Sequence, residues 1–119
     1  MHDELPPVRV IRASERDSVQ FEHGGYRVEP LSSPVPTQEI SSAICHWEPN
    51  TSNPPVRQHV GEEFGYILEG SLEVRTGDQV FTLNEGDTIH FRANVPHYIA
   101  NRSDRICTGI WVTLPKFGL

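Results

Sequence analysis

From Val8 onward, short apolar segments alternate with turn-forming residues along this chain. Residues 8–11, 40–48, 64–68, 71–75, 79–83, 88–91, 97–100 and 106–114 are of strand length and rich in β-branched or aromatic side chains, which favour a pleated, half-buried surface. Between them lie Glu69-Gly70-Ser71, Thr76-Gly77-Asp78 and Asn84-Glu85-Gly86-Asp87, residues that accept positive φ or bond to their own backbone in tight turns. Residues 21–26, centred on Gly24 and Gly25, read as a turn between strands, and 49–55, with Asn50, Asn53 and Pro54, as a loop. No segment sustains a helical 3.6-residue period and no internal repeat is visible. Many short strands with almost no helix predict an all-β protein, an antiparallel sandwich or barrel.

Composition narrows this picture. The 119 residues, 36% hydrophobic and 22% charged, suit one globular domain with its own core. Residues 1–7, charged and carrying two prolines, read as a flexible tail, which leaves 8–119 as the domain. The formal charge is 10 − 16 = −6, without a basic run, so the surface field repels nucleic acid and anionic membranes. The first residues carry no basic and apolar leader, and no apolar run is long enough to span a bilayer, so the expected location is cytoplasmic. Cys45 and Cys107 each sit inside an apolar strand-like segment, away from any CxxC spacing, and read as buried reduced thiols.

Three residues bring chemistry to this frame. His59 and Glu63 are separated by the short Val60-Gly61-Glu62 turn, so both can face one side of a sheet, while His97 arrives from a distant strand. Two imidazoles and one carboxylate form the facial set suited to Fe(II), and with similar ligands to Mn, Ni, Co or Zn, leaving coordination positions for water or a ligand. A His and a Glu four residues apart also occur by chance, so the pair alone decides little.

The wider frame decides more, because it resembles the two motifs of the cupin family. The first motif, His-x-His, three residues, Glu, six residues and Gly, falls on Arg57-x-His59, Glu63 and Gly70; the second, Gly, ten residues, His, three residues and Asn, falls on Gly86, His97 and Asn101. Fifteen residues, 71–85, lie between them, as in small cupins. The resemblance implies a single-domain antiparallel jelly-roll β-barrel, one divalent transition metal held by His59, Glu63 and His97, and a homodimer. The sequence departs from the family at four positions. Its opening glycine falls on Thr51, its first histidine on Arg57, and the proline and glycine before the second-motif histidine on Arg92 and Asn94. A guanidinium has no lone pair to donate, so Arg57 reduces the usual four ligands to three. It either clamps the anionic end of a bound ligand or pairs with Glu63 and leaves a metal-free barrel.

From Val8 to Phe117 the chain also looks like the C-terminal sensor half of bacterial regulators that join a helix-turn-helix domain to a cupin, through segments such as 8–13, 59–70 and 111–117. A more distant likeness is to iron-dependent epoxidases acting on hydroxypropylphosphonate, which carry two His and one Glu ligand. The leading expectation is therefore a sensor-type cupin that binds a small, anionic molecule at a metal centre. The alternatives are an Fe(II)-dependent oxygenase, epoxidase or isomerase and a metal-free binding module. Arg57 and His46 are the candidates for contacting the ligand, although His46 and His90 also read as hydrogen-bonded barrel histidines. Asn101 is placed at a strand end or in a bond behind the ligands. By strand parity Phe64 and Tyr66 face away from Glu63, and Trp47 and Trp111 serve as large core or interface anchors.

Overall fold

The computed structural model describes residues 7–16, 21–32, 39–53 and 58–115. Among the described residues ten strands are present: β1 (Phe21–His23), β2 (Tyr26–Pro30), β3 (Ser41–Trp47), β4 (Thr51–Ser52), β5 (Glu62–Glu69), β6 (Leu72–Thr76), β7 (Gln79–Leu83), β8 (Thr88–Arg92), β9 (His97–Asn101) and β10 (Cys107–Leu114). They pair antiparallel in a six-stranded sheet, β1-β2-β3-β10-β5-β8, and a four-stranded sheet, β4-β9-β6-β7. The two sheets pack into a single-domain jelly-roll β-barrel, as the sequence led one to expect. Among the described residues no helix is long and apolar enough to cross a membrane.

Three local expectations change. Residues 8–11 join no sheet and lead instead into one 3-10 turn, Ala13–Glu15. Residues 21–26 form a hairpin around Gly24 and Gly25, and its second strand runs on to Pro30. The 49–55 segment contributes the short β4, which pairs with the end of β9. Single-sequence patterns miss such two-residue ladders because they are too short to carry a period. Residues 1–6, which hold most of the expected tail, lie outside the described residues.

Alternation along each strand builds the core. On β5, Glu63, Gly65 and Ile67 turn inward while Glu62, Phe64, Tyr66 and Leu68 turn outward; on β10, Cys107, Gly109, Trp111 and Thr113 turn inward. Opposite them the four-stranded sheet contributes Leu72, Val74, Leu83 and Ile99. Trp47 stacks on Tyr26 at 5.4 Å and meets Trp111 edge-on at 6.0 Å, the offset and T-shaped arrangements that ring quadrupoles favour. Gly65 makes this possible, because any Cβ there would fall inside the Trp111 ring.

Asn101, fully buried at the end of β9, ties the rim together. Its Nδ2 donates to the carbonyls of Trp47 (3.0 Å), Glu48 (3.3 Å) and Arg105 (2.7 Å), and its Oδ1 accepts from the amide (3.0 Å) and hydroxyl (2.7 Å) of Ser103. This is the strand-end role. Asn101→Ala leaves these buried partners unmatched and is expected to lower stability by about 3 kcal/mol, read from the midpoint of urea unfolding.

Cys45 and Cys107 are both buried and free. Burial pushes each thiol up to about 12, so the reactive thiolate is scarce near neutrality. Neither is expected to react with a thiol-specific chromophore at pH 8 until the protein is unfolded; rapid labelling of the native chain would contradict this burial.

Candidate metal centre

The site forms where the inner face of β5 meets the start of β9. Glu63 lies on β5 between Thr113 of β10 and Phe91 of β8 in register, which fixes its backbone from both sides. His97 opens β9 opposite Thr76. His59 precedes β5, and its position depends on a backbone clasp. The amide of His59 donates to the carbonyl of Ala93 and the amide of Ala93 donates to the carbonyl of Gly61, both at 2.8 Å. Ala93 is fully buried in the turn after β8, so the clasp brings His59 to the hairpin that leads into His97. Gly61, at φ 105° and packed against the Leu114 carbonyl, takes a conformation that a larger residue would resist.

These elements bring the three residues together. His59 Nε2 lies 2.8 Å and His97 Nε2 3.1 Å from Glu63 Oε2, and one donor atom from each residue falls within 4.8 Å of the others. The two imidazole rings meet edge-on at 5.6 Å, and Phe91 packs against His97 at 5.1 Å. The other carboxylate oxygen, Oε1, accepts a 2.7 Å hydrogen bond from the Trp111 indole. Burial alone would raise the Glu63 carboxyl, but hydrogen bonds from His97, Trp111 and His59 outweigh it and hold the group below the ordinary carboxylate range.

The imidazoles are oriented from behind. His59 Nδ1 lies 2.9 Å from the Val60 carbonyl and His97 Nδ1 3.0 Å from the Val95 carbonyl. A carbonyl only accepts, so each Nδ1 carries a hydrogen and each Nε2 is directed at Glu63. Outer partners of this kind fix the tautomer of metal-binding histidines. The spacing also fits an ion: two ligand atoms at right angles, with bonds of about 2.1 Å, lie about 3.0 Å apart. A proton shared across either Nε2···Oε2 contact is what a cation would replace. The donor set and its spacing therefore suit a divalent metal.

The other candidates fall elsewhere. Arg57 lies outside the described residues. His46 does not face this centre. It pairs with Thr108 in register on the outer face of the six-stranded sheet, 3.4 Å from the Thr108 hydroxyl and 3.8 Å from Glu29, because the period-two alternation that buries Cys45 and Trp47 turns residue 46 outward. The expectation of a ligand-contacting His46 in this pocket is corrected accordingly. His90 is likewise on the outer face, 2.6 Å from Glu62. Asn101 spends its hydrogen bonds on the strand end, and reaches the centre through Trp47 and Trp111 packing. Trp111 was legible only as an anchor; its bond to Glu63 joins residues 48 positions apart and leaves no spacing signal. Thr113, directly across the ladder from Glu63, carries a buried hydroxyl without a hydrogen-bond partner among the described residues.

A barrel of two antiparallel sheets with a two-histidine, one-glutamate cluster defines a class of small β-barrel with a metal-type site. The cupin-domain family model matches residues 43–113, more than half of the chain, and the chain belongs to the cupin family. The HTH-type transcriptional regulator PuuR of Escherichia coli (strain K12) is 23% identical over 104 residues, covering 87% of this chain and 56% of that protein, so the chain spans little more than half of the relative's length. Among solved structures, an RmlC-like cupin from Shewanella frigidimarina NCIMB 400 superposes with TM-score 0.75 at 16% identity over 89% of each chain. The cupin domain of an XRE family transcriptional regulator from Enterobacter cloacae does so with TM-score 0.65 at 20% identity, over 78% of this chain and 99% of that one. At such identities the structural likeness shows the fold alone.

The indole bond to Glu63 has a measurable value. Trp111→Phe keeps an aromatic ring in the core but strips a donor from a buried carboxylate, and should lower stability by about 1–3 kcal/mol. In a Glu63→Gln background the same change should cost about 1–2 kcal/mol less, a coupling read from urea unfolding of the four proteins.

Proposed function

We propose that this chain is a sensor-type cupin that binds one divalent first-row transition metal through His59, Glu63 and His97 and holds a small oxygen-bearing molecule beside it. The observation that carries this reading is the convergence of two Nε2 atoms on one carboxylate oxygen, 2.8 and 3.1 Å away, with both rings oriented by backbone carbonyls. The donors are those shared by Fe, Mn, Ni, Co and Zn sites. When bound, the ion supplies Lewis-acid attraction for a ligand oxygen. The rest is done by the chain's own residues. Trp111 keeps Glu63 Oε1 occupied and so directs Oε2 to the ion, Val60 and Val95 keep the imidazoles in the binding tautomer, and Phe91 shields one flank of His97.

The likeness to PuuR over 87% of the chain supports a sensing rather than a catalytic role. The unpartnered Thr113 hydroxyl beside Glu63 supports ligand binding, since a bound polar molecule or water is what ordinarily satisfies such a buried group. Arg57 is assigned to the anionic end of that ligand.

Elemental analysis of protein purified without chelator or metal-affinity tag is expected to find about one first-row metal ion per chain, as a three-ligand site provides, and little in His97→Ala. The wild-type melting temperature should rise on adding that metal, by an amount equivalent to about 2.7 kcal/mol at a hundredfold excess over Kd. Absence of metal in both proteins, with no thermal shift, would overturn the reading. Turnover of a small acid with oxygen consumption in the Fe(II)-loaded protein would replace the sensor role with an enzymatic one.

A further inference from the structure

The outer face of the four-stranded sheet holds a charged cluster that the metal centre does not use. Glu73 and Arg75 alternate with the buried Leu72 and Val74 on β6, and Tyr98 lies opposite Arg75 on β9, so all three point away from the barrel interior. Arg102, one residue past β9, turns back over them. Its Nε donates to Glu73 Oε2 at 2.8 Å, and its Cζ lies 5.9 Å from the centre of the Tyr98 ring, within cation–π range. Arg75 Nε donates to the same carboxylate oxygen at 3.1 Å. One oxygen of Glu73 therefore braces two guanidiniums.

The brace does not neutralise what it holds. Two arginines and one glutamate leave the group with one net positive charge. Hydrogen bonds from Arg102, and then from Arg75, keep the Glu73 carboxyl below its ordinary range, so it stays ionised near neutrality. Arg75 spends its Nε on Glu73, which leaves its two terminal nitrogens, the pair that grips a carboxylate end-on, without a further partner among the described residues. Stability does not account for the cluster. The two arginine side chains are 52% and 55% exposed, and ion pairs in that setting contribute little to folding.

The cluster borders a depression of about 390 Å³, lined by Arg75, Gly77, Pro96, His97, Tyr98 and Arg102, a volume within the range of small-molecule sites. His97 enters this lining from β9, but its imidazole is turned to Glu63 on the inner side of the strand. The Gly77 amide donates to the Pro96 carbonyl at 2.9 Å and joins the two turns at one end. A Cβ at Gly77 would meet nothing within 4 Å, so the space above that end is clear. Pro96 and the Tyr98 ring offer apolar walls that suit a flat body, and the single net positive charge beside them suits one carboxylate. The overall charge of −6 acts against polyanions.

We propose that this depression is a second binding site, outside the barrel, for a small aromatic monocarboxylate, gripped by Arg75 and Arg102 with its ring against Pro96 and Tyr98. Glu73 is the positioning residue that holds both guanidiniums. The site does not rest on the metal reading, since Arg75, Tyr98 and Arg102 lie outside the set formed by His59, Glu63 and His97.

Benzoate is the probe, titrated into the full-length chain and followed by backbone amide chemical shifts. Saturable shifts centred on Gly77, Tyr98 and Arg102 are expected, with a Kd of about 1 mM or tighter. Arg75→Gln and Arg102→Gln should each weaken binding about tenfold and Tyr98→Ala about fivefold, and neutral benzamide should bind about tenfold more weakly than benzoate. Circular dichroism should show all three variants folded, as their exposed positions allow. Binding should agree within about twofold with and without added Zn(II), so the outcome is separate from that of the metal-content experiment. Absence of saturation at about 10 mM benzoate overturns the proposal. So do equal affinities for benzoate and benzamide, and shifts that centre on His59 and Glu63 and require added zinc. Inorganic phosphate binding as tightly as benzoate overturns the assignment to an aromatic acid.

Discussion

The structure turns on one buried carboxylate. Glu63 sits on the inner face of β5 with almost no contact with solvent, where an unpaired charge would be prohibitive, and it stays ionised because an indole and two imidazoles surround it. Each donor constrains another part of the fold. Trp111 reaches Glu63 because residue 65 is glycine and lets the indole lie against β5. His59 reaches it because the Ala93 clasp draws the pre-β5 segment inward. His97 reaches it because β9 begins on the far sheet. The acid is therefore a point at which side chains from both sheets converge.

β5 serves two surfaces at once. Its odd-numbered residues Glu63, Gly65 and Ile67 build the site and the core, and its even-numbered residues Phe64, Tyr66 and Leu68 build the outer apolar face. A one-residue slip in its pairing would exchange the two sets, so the ladders to β8 and β10 guard the site and the outer surface together. This also explains why the polar His46 faces away from the Glu63 cluster. On β3 the same parity rule places Cys45 and Trp47 inside and His46 among the charged residues of the outer border.

Much of this was legible in the sequence. The strands from residue 64 onward, their turns, and the three converging side chains follow from alternation, turn chemistry and spacing, because each depends on residues close together in the chain. The family motifs supplied the long-range step that joins His97 to the other two. What escaped was non-local or sub-periodic. The Trp111–Glu63 bond depends on the register between β5 and β10, the two-residue β4 is too short to show a pattern, and the Ala93 clasp uses main-chain groups that no side-chain motif records. Residues 8–11 misled in the other direction, since their composition is that of a strand while they pair with no strand among the described residues.

The clasp carries a consequence for how such a site drifts over evolutionary time. Because the His59 backbone is located by peptide groups of residues 59, 61 and 93, a change of side chain ahead of His59 leaves those hydrogen-bonding groups in place. The stretch ahead of it, where position 57 is arginine, can then exchange residues without removing the peptide groups that hold the His59 backbone. Side chains on that approach can therefore vary while the backbone position of His59 is kept.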